Sequence, residues 1–343
     1  MRKISLFISY LFLFSVSCVD PYKMPDIPFD AGILVIDGFI NSSNGTITTI
    51  KLSRSTPLDY AGKLRSELKA KVTLEGSDNS SMNLAEKGNG VYENSLVIHQ
   101  QLKYRMRIKT LGGKEYLSDF VEVKKTPPID SVTFQLDKSN NGLQIQVNTH
   151  DAESKARNYF WEYVETWQSS AECFVQGPIQ TFTCWNTASS SKILSFSTKR
   201  FEQDVVSRFP INFIDANSPK QYFTYSILVK QYAVTEDARD YLQQLKNNTE
   251  KLGSIFDAQP TQLTGNFYSL QDHDEPVLGY LQVQNVTEKR IFIKHINLPS
   301  WFKNKPVRWE CFNPDPYECI GGPECYDCRL GGGVNVKPNF WIE

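Results

Sequence analysis

The sequence predicts a mainly β fold, with an N-terminal immunoglobulin-like sandwich and a larger antiparallel β-rich domain that carries one α-helix at about residues 235–252. Three observations lead to this prediction. Short apolar segments recur from residue 32 onwards, clusters of Gly, Asn and Ser separate them, and a Pro-Pro pair interrupts the pattern at residues 127 and 128. Short strands between turn residues are typical of β-sandwiches.

The predicted N-terminal strands differ in the pattern of apolar and polar residues along them. The segment AGILVIDGFI has a continuous apolar centre at residues 33–36, as expected for a strand buried on both faces. In KYRMRIKT, which begins at Lys103, apolar and basic residues alternate, and this period of two indicates one exposed face. About seven such strands predict an immunoglobulin-like sandwich over residues 32–126.

Pro127 and Pro128 mark the predicted boundary between the two domains. Proline cannot donate to a strand ladder and disfavours helix at the residue before it. Longer predicted strands follow, together with one helix that Thr235 caps and Gly253 ends. Because some 325 mature residues exceed the usual size of a single core, residues 127–343 are predicted to form a second domain.

The first 31 residues predict export and a lipid anchor. Residues 1–17 resemble a signal peptide, since a basic start precedes an apolar run too short to cross ~30 Å of hydrocarbon. The tetrapeptide SVSC resembles a lipobox, in which Cys18 is lipidated and becomes the first mature residue. An ordinary secretory signal with an incidental cysteine is the alternative. Residues 18–31 contain three prolines and predict an extended tether.

Six cysteines remain after Cys18, and they are Cys173, Cys184, Cys311, Cys319, Cys325 and Cys328. An even number in an oxidising compartment favours disulfides. The first two flank a short segment and are expected to close a loop. The last four are expected to form two disulfides, and their spacing does not decide among the three possible pairings. Zinc is the alternative because Cys325 and Cys328 have CxxC spacing, although a second CxxC is missing. A redox-active pair would need a thioredoxin-like context, which is not visible.

One predicted strand, NYFWEYVETW, places four rings on one face, and they belong to Tyr159, Trp161, Tyr163 and Trp167. Such a row either stacks on a sugar, peptide or planar ligand or fills the core. The segment QDHDEP supplies Asp272 and Asp274 as candidate metal ligands, with a solvated turn as the alternative.

The sequence predicts no enzyme and no cofactor. It has no HExxH, no GxSxG and no phosphate-binding glycine loop, so no catalytic residue is assigned. The formal net charge of −1 argues against nucleic acid as a partner, and 13% aromatic residues favour a packed globular body.

Several separated motifs together resemble one family. They are VDPY, LVIDGFI, PPIDSV, YFWEYVETW, QYAVTEDARDYLQQLKNNTEKLGSIFDAQPTQLTGN and CYDCRLGGGVNVKPNFW. In this combination the chain resembles the DUF4249 lipoproteins of Bacteroidota over nearly its whole mature length. The resemblance implies an outer-membrane lipoprotein of a kind often encoded beside TonB-dependent transporters. It also implies a structural role for Cys184, Cys325 and Cys328.

These observations predict a non-catalytic accessory or ligand-capture partner of a TonB-dependent transporter. The lipid anchor is expected to hold it on the outer membrane, on either the periplasmic or the cell-surface face. A surface adhesin or structural module is the first alternative. The second is an enzyme that degrades an extracellular polymer, with Glu162, Asp272 and Asp274 as its candidate residues.

Overall fold

The structure is a computed structural model, and it describes residues 32–43, 45–56, 65–171, 183–250, 262–302, 311, 322, 325 and 327–342. The strands are β1 (Leu34–Gly38), β2 (Ile40–Asn41), β3 (Ile47–Arg54), β4 (Arg65–Ser66), β5 (Lys71–Gly76), β6 (Ser81–Gly88), β7 (Val91–Ser95), β8 (Lys103–Lys109), β9 (Glu115–Ser118), β10 (Val121–Lys124), β11 (Ile129–Asp137), β12 (Gly142–His150), β13 (Asn158–Ser170), β14 (Thr183–Ser189), β15 (Leu194–Ser197), β16 (Val205–Asp215), β17 (Thr224–Ala233), β18 (Phe267–Ser269), β19 (Val277–Leu278), β20 (Val283–Gln284) and β21 (Thr287–Lys294). Helix α1 spans Glu236–Glu250. Short 3₁₀ turns lie at Pro219–Gln221, His295–Asn297 and Ser300–Phe302. Within the described ranges the fold is mainly β with one α-helix, as the sequence predicts.

The first sheet has thirteen strands and curls back on itself. Only Phe39 separates β1 from β2, yet β1 pairs with β3 and β19, whereas β2 lies beyond β20 at the far end of the strand order. The curled sheet encloses a core in which Leu34, Leu52, Leu74 and Tyr104 are fully buried. The alternation read from KYRMRIKT therefore corresponds to one buried and one more exposed face of β8.

Three strands of the first sheet come from a late part of the chain. Strand β19 pairs with β1, β18 pairs with β9, and β20 lies between β10 and β2. Phe267, Val277, Leu281 and Val283 are buried in the first core. The sequence-based division placed this returning segment, residues 264–286, in the second domain, whereas its strands complete the first sheet. Pairing between segments so far apart leaves no local periodic signal.

A carboxylate helps to fasten the returning segment. Glu275 Oε1 accepts hydrogen bonds from Lys114 Nζ at 2.9 Å and from the Tyr116 hydroxyl at 2.7 Å. Burial opposes ionisation of Glu275, but these two donors outweigh it and hold the pKa of Glu275 below its usual 4.5. A depressed carboxyl pKa stabilises the fold above the unfolded-state pKa, and this contribution disappears as pH falls through the folded-state pKa.

Glu275→Gln is therefore expected to lower the melting temperature at pH 7, with the difference from wild type shrinking as pH falls below about 4. Thermal melts between pH 7 and pH 3 measure this dependence. Glu122→Gln is the matched control, because Glu122 on β10 is 55% exposed and pairs with Lys124. A difference for Glu275→Gln that stays constant with pH would contradict the assignment.

The second unit is built from two antiparallel sheets. One has the order β11-β12-β16, and the other has the order β14-β13-β17-β21, with β15 paired to β13. Their facing sides form a separate core that contains Leu143, Ile145, Trp161, Tyr225 and Ile227. Each strand of the five-stranded sheet therefore has one face in this core and one face away from it.

Helix α1 follows β17 directly and lies against the outer face of the five-stranded sheet. The Ala238 amide donates to Thr235 Oγ1 at 3.1 Å, so Thr235 caps the helix as the sequence predicts. Ala238 shares a small apolar cluster with Tyr232, and Phe39, Phe160 and Tyr280 pack against that cluster. The helix thus contacts both β units.

The four described cysteines form two disulfides, Cys184–Cys328 and Cys311–Cys325. Cys184 therefore does not pair with Cys173, which corrects the expected loop closure, and none of the four remains a thiolate for zinc. Trp185 pairs through its backbone with Val334. The C-terminal segment is thus attached to β14 by a covalent bond and a β-bridge.

Other predictions fall on residues outside the described part of the chain. They concern the signal peptide at 1–17, the lipidated Cys18, the tether at 18–31, Cys173, Cys319 and the helix end at Gly253. Among the residues that are described, no helix is both long and apolar enough to span a membrane.

Candidate ligand-binding cleft

A cleft of about 440 Å³ lies where the two β units and α1 meet. Its walls come from the β1–β2 corner, from β13 and β17, from residues 190–193, from α1 and from the returning segment. The volume falls in the range of about 300–1,000 Å³ that is usual for small-molecule sites. Sites of this kind occur preferentially where separate structural units meet.

Aromatic rings form one wall of the cleft. Side chains alternate along β13, so Phe160 and Glu162 lie on the face opposite the core residue Trp161. Phe160 pairs across strands with Tyr232, and their ring centroids are 5.6 Å apart. Phe39 meets Tyr232 edge-on at 5.2 Å. Phe39 and Phe160 are half-buried, so both retain surface for a ligand.

A fixed carboxylate lies beside these rings. The Tyr232 hydroxyl donates to Glu162 Oε2 at 2.8 Å. Burial, and then the charge of Glu162, raise the pKa of Tyr232, so the phenol keeps its proton and continues to orient the carboxylate. Glu162 itself is exposed, which leaves its other oxygen accessible to a ligand donor.

The opposite wall combines α1 with the returning segment. Tyr241 of α1 and Tyr280 pack with ring centroids 5.2 Å apart. Burial and the nearby Asp37 raise the pKa of Tyr241. Gln282 also lines the cleft, and its Oε1 is buried without a hydrogen-bond partner. A buried acceptor of this kind is costly unless a ligand or water pairs with it.

Gly279 allows the returning segment to approach β1 closely. Its φ is +148°, and a Cβ at this position would meet the Ile36 carbonyl oxygen at 2.6 Å. Any side chain there would push Tyr280 and Gln282 away from β1 and change the shape of the cleft.

The described lining suits binding by ring contacts and hydrogen bonds. It offers Asp37 and Glu162 as carboxylates, Lys192 as a cation and the amides of Gln282 and Gln284. It contains neither histidine nor cysteine. Across the described residues, no group of three or more His, Cys, Asp or Glu side chains is arranged to hold a metal ion.

The predicted aromatic row fills the core of the second unit. Tyr159 and Trp161 are fully buried, and Tyr163 and Trp167 are half-buried against the same core. The three-stranded sheet covers this face of β13, so Tyr159 and Trp161 present no ring to a ligand. Of the two interpretations offered by the sequence, core filling therefore describes these rings. The residues of β13 that line the cleft, Phe160 and Glu162, lie on the opposite face of the strand.

The two candidate metal ligands lie in an exposed turn. The Asp274 amide donates to Asp272 Oδ1 at 3.1 Å, which closes the turn just before β19.

Sequence reasoning missed the cleft residues Phe39, Tyr232 and Tyr280, because only the tertiary fold brings them together. The alternation of β13 was the available signal for Phe160 and Glu162.

Comparisons with known proteins give one finding. The family model described as "Domain of unknown function (DUF4249)" matches residues 19–290. A search of the curated proteins finds no match. The matched range includes the first sheet, α1, every described segment that lines the cleft, and the second unit up to the first half of β21. The chain therefore belongs to the DUF4249 family.

Proposed function

We propose that this protein is a non-catalytic, lipid-anchored ligand-capture protein of the outer membrane that serves a TonB-dependent transporter. The cleft is the observation that carries this proposal, because it combines partly exposed rings with fixed polar groups between two packed β units. The lipobox-like SVSC sequence supports the anchor at Cys18. The resemblance described above supports the transporter as partner.

The lining favours a ligand with a flat apolar face and several hydrogen-bond donors. Phe39 and Phe160 offer ring surface for stacking. Glu162, Asp37 and the unpaired Gln282 Oε1 offer acceptors on more than one side. A sugar ring or a small amine-bearing ring compound has this combination of groups.

The test begins with the full mature protein, purified from membranes in mild detergent and analysed by native mass spectrometry for a co-purifying ligand and a transporter barrel. Phe160→Ala is expected to reduce ligand affinity about tenfold, since a ring contact contributes about 0.5–1.5 kcal/mol beyond area burial. Glu162→Gln is expected to reduce it similarly. Phe213→Ala is the matched control, because Phe213 lies outside the cleft and is 41% exposed.

Two outcomes would contradict the proposal separately. Ligand occupancy that is equal in wild type and both cleft variants would remove the cleft as the capture site. A protein that always purifies without a barrel would remove the transporter as partner. Unchanged nutrient uptake together with impaired attachment in a deletion strain would favour the adhesin alternative.

A further inference from the structure

A second cavity of about 590 Å³ lies on the other side of α1 from the cleft. Glu236, Arg239 and Gln243 line it, and their i, i+3, i+7 spacing places them on one helical face. Tyr241 and Leu245, which line the cleft, lie on the opposite face. The remaining wall comes from β15 and the turn that follows it, residues 195–201. The two cavities therefore lie on opposite faces of α1 and share no lining residue.

The second cavity carries an excess of positive charge. Lys199, Arg200 and Arg239 line it, against the single lining carboxylate of Glu236. Lys199 pairs with Glu236, and Arg239 Nη2 lies 2.5 Å from Asp240 Oδ1. Three cations and two carboxylates leave one positive charge. Arg200 is exposed and makes no ion pair within the described part of the chain.

Arg239 also has an unused hydrogen-bond donor. Its Nε is buried and has no hydrogen-bond partner, although the guanidinium lines the cavity. A buried N–H of a charged group costs more to leave unpaired than a neutral one, so an acceptor is expected there. Arg239 lies in the first turns of α1, where the helix dipole adds further positive potential.

The turn that carries Lys199, Arg200 and Phe201 is held firmly in place. The Arg157 guanidinium donates to the carbonyls of Phe201 at 3.0 Å and Glu202 at 3.3 Å. Buried Asp204 accepts from Thr198 Oγ1 at 2.5 Å and from the Tyr159 hydroxyl at 3.0 Å. These bonds tie the turn to the second core, so little ordering is required when a ligand binds.

An apolar surface adjoins the charged groups. Phe201 is 55% exposed, and its ring stacks on Phe196 with centroids 6.2 Å apart and an interplanar angle of 19°. Phe196 in turn packs on Phe209 of the second core. An exposed ring that rests on half-buried rings offers a rigid face to a planar group.

We propose that this second cavity binds an oxyanion group, a carboxylate or a phosphate, attached to an apolar ring. The oxyanion pairs with Arg200 and Arg239, and the ring packs on Phe201. Planar guanidinium groups favour such anions because they donate two parallel hydrogen bonds to one oxyanion. This site does not depend on the function proposed for the cleft.

The test titrates the full mature protein with benzoate, phenyl phosphate and phenol, using NMR shifts to obtain dissociation constants. One or both anions are expected to bind, while phenol, which lacks the charge, binds at least about tenfold more weakly. The anion that binds more tightly identifies the group. Arg239→Gln and Arg200→Gln are each expected to weaken binding about tenfold, and added NaCl is expected to weaken it in wild type.

Lys192→Gln is the matched control, because it removes one cation from the cleft and none from the second cavity. It is expected to leave anion binding unchanged. Melting curves verify that each variant is folded, and Phe201→Ala provides a variant in which every charge is retained while ring packing is lost. The proposal is overturned if neither anion binds, if phenol binds equally well, or if folded Arg239→Gln and Arg200→Gln bind as tightly as wild type.

Discussion

Replacing Trp161 by alanine is expected to lower the free energy of unfolding by about 3–5 kcal/mol. Trp161 is fully buried, and its ring stacks on Tyr159 at 5.7 Å and on Phe209 at 4.6 Å. Its Nε1 donates to Gln231 Oε1 at 2.8 Å. The substitution therefore leaves a large cavity and also removes the partner of a buried amide oxygen.

Urea unfolding of Trp161→Ala measures this loss, and Phe160→Ala is the neighbouring control. Phe160 is half-buried on the other face of β13, so it is expected to cost less than half as much stability. For ligand binding in the cleft the order is reversed. Phe160→Ala is expected to weaken binding more than Trp161→Ala, because only Phe160 lines the cleft. Wild-type stability for Trp161→Ala would show that this ring is not a core element.

Removing the Cys184–Cys328 disulfide is the second change with a large expected effect. The two cysteines are 144 positions apart, so the bridge closes a long loop in the unfolded chain. Loop entropy alone predicts a loss of roughly 5 kcal/mol, and native disulfides typically contribute about 2–5 kcal/mol. The double variant Cys184→Ala/Cys328→Ala avoids a leftover thiol. Its unfolding free energy is measured under non-reducing conditions.

The second disulfide provides an internal comparison. Cys311 and Cys325 are only 14 positions apart, for which the same relation predicts roughly 3 kcal/mol. Cys311→Ala/Cys325→Ala is therefore expected to cost less than the longer bridge. The reverse order would mean that native-state packing around Cys184, rather than loop closure, controls the difference.

Local periodicity predicted the elements well where the signal is contained within one segment. The alternation from Lys103 to Lys109 gave β8, and Thr235 gave the start of α1, because backbone geometry and capping are local. The sequence also indicated strand within residues 276–286, but it carried no signal for pairing with the first sheet, and β19 and β20 are only two residues long. Their role depends on partners that are about 150 or more positions away.

The candidate site shows a different limit of sequence reasoning. A period of two identifies which residues of β13 share a face, but it does not say which face the rest of the protein covers. The three-stranded sheet covers the side of Trp161, and this leaves Phe160 and Glu162 for the cleft. The cation cluster at Arg200 and Arg239 likewise requires a strand-end turn and a helix to meet.

The returning segment has a consequence for the order in which the protein is made. Strand β10 ends at Lys124, but its neighbour β20 is not translated until Gln284, 160 residues later. At about 5–20 residues per second, the ribosome needs roughly 8–32 s to supply it. Throughout that interval the nascent chain exposes unpaired strand edges, which can pair with other chains. A chaperone or rapid export would protect the protein while its synthesis is incomplete.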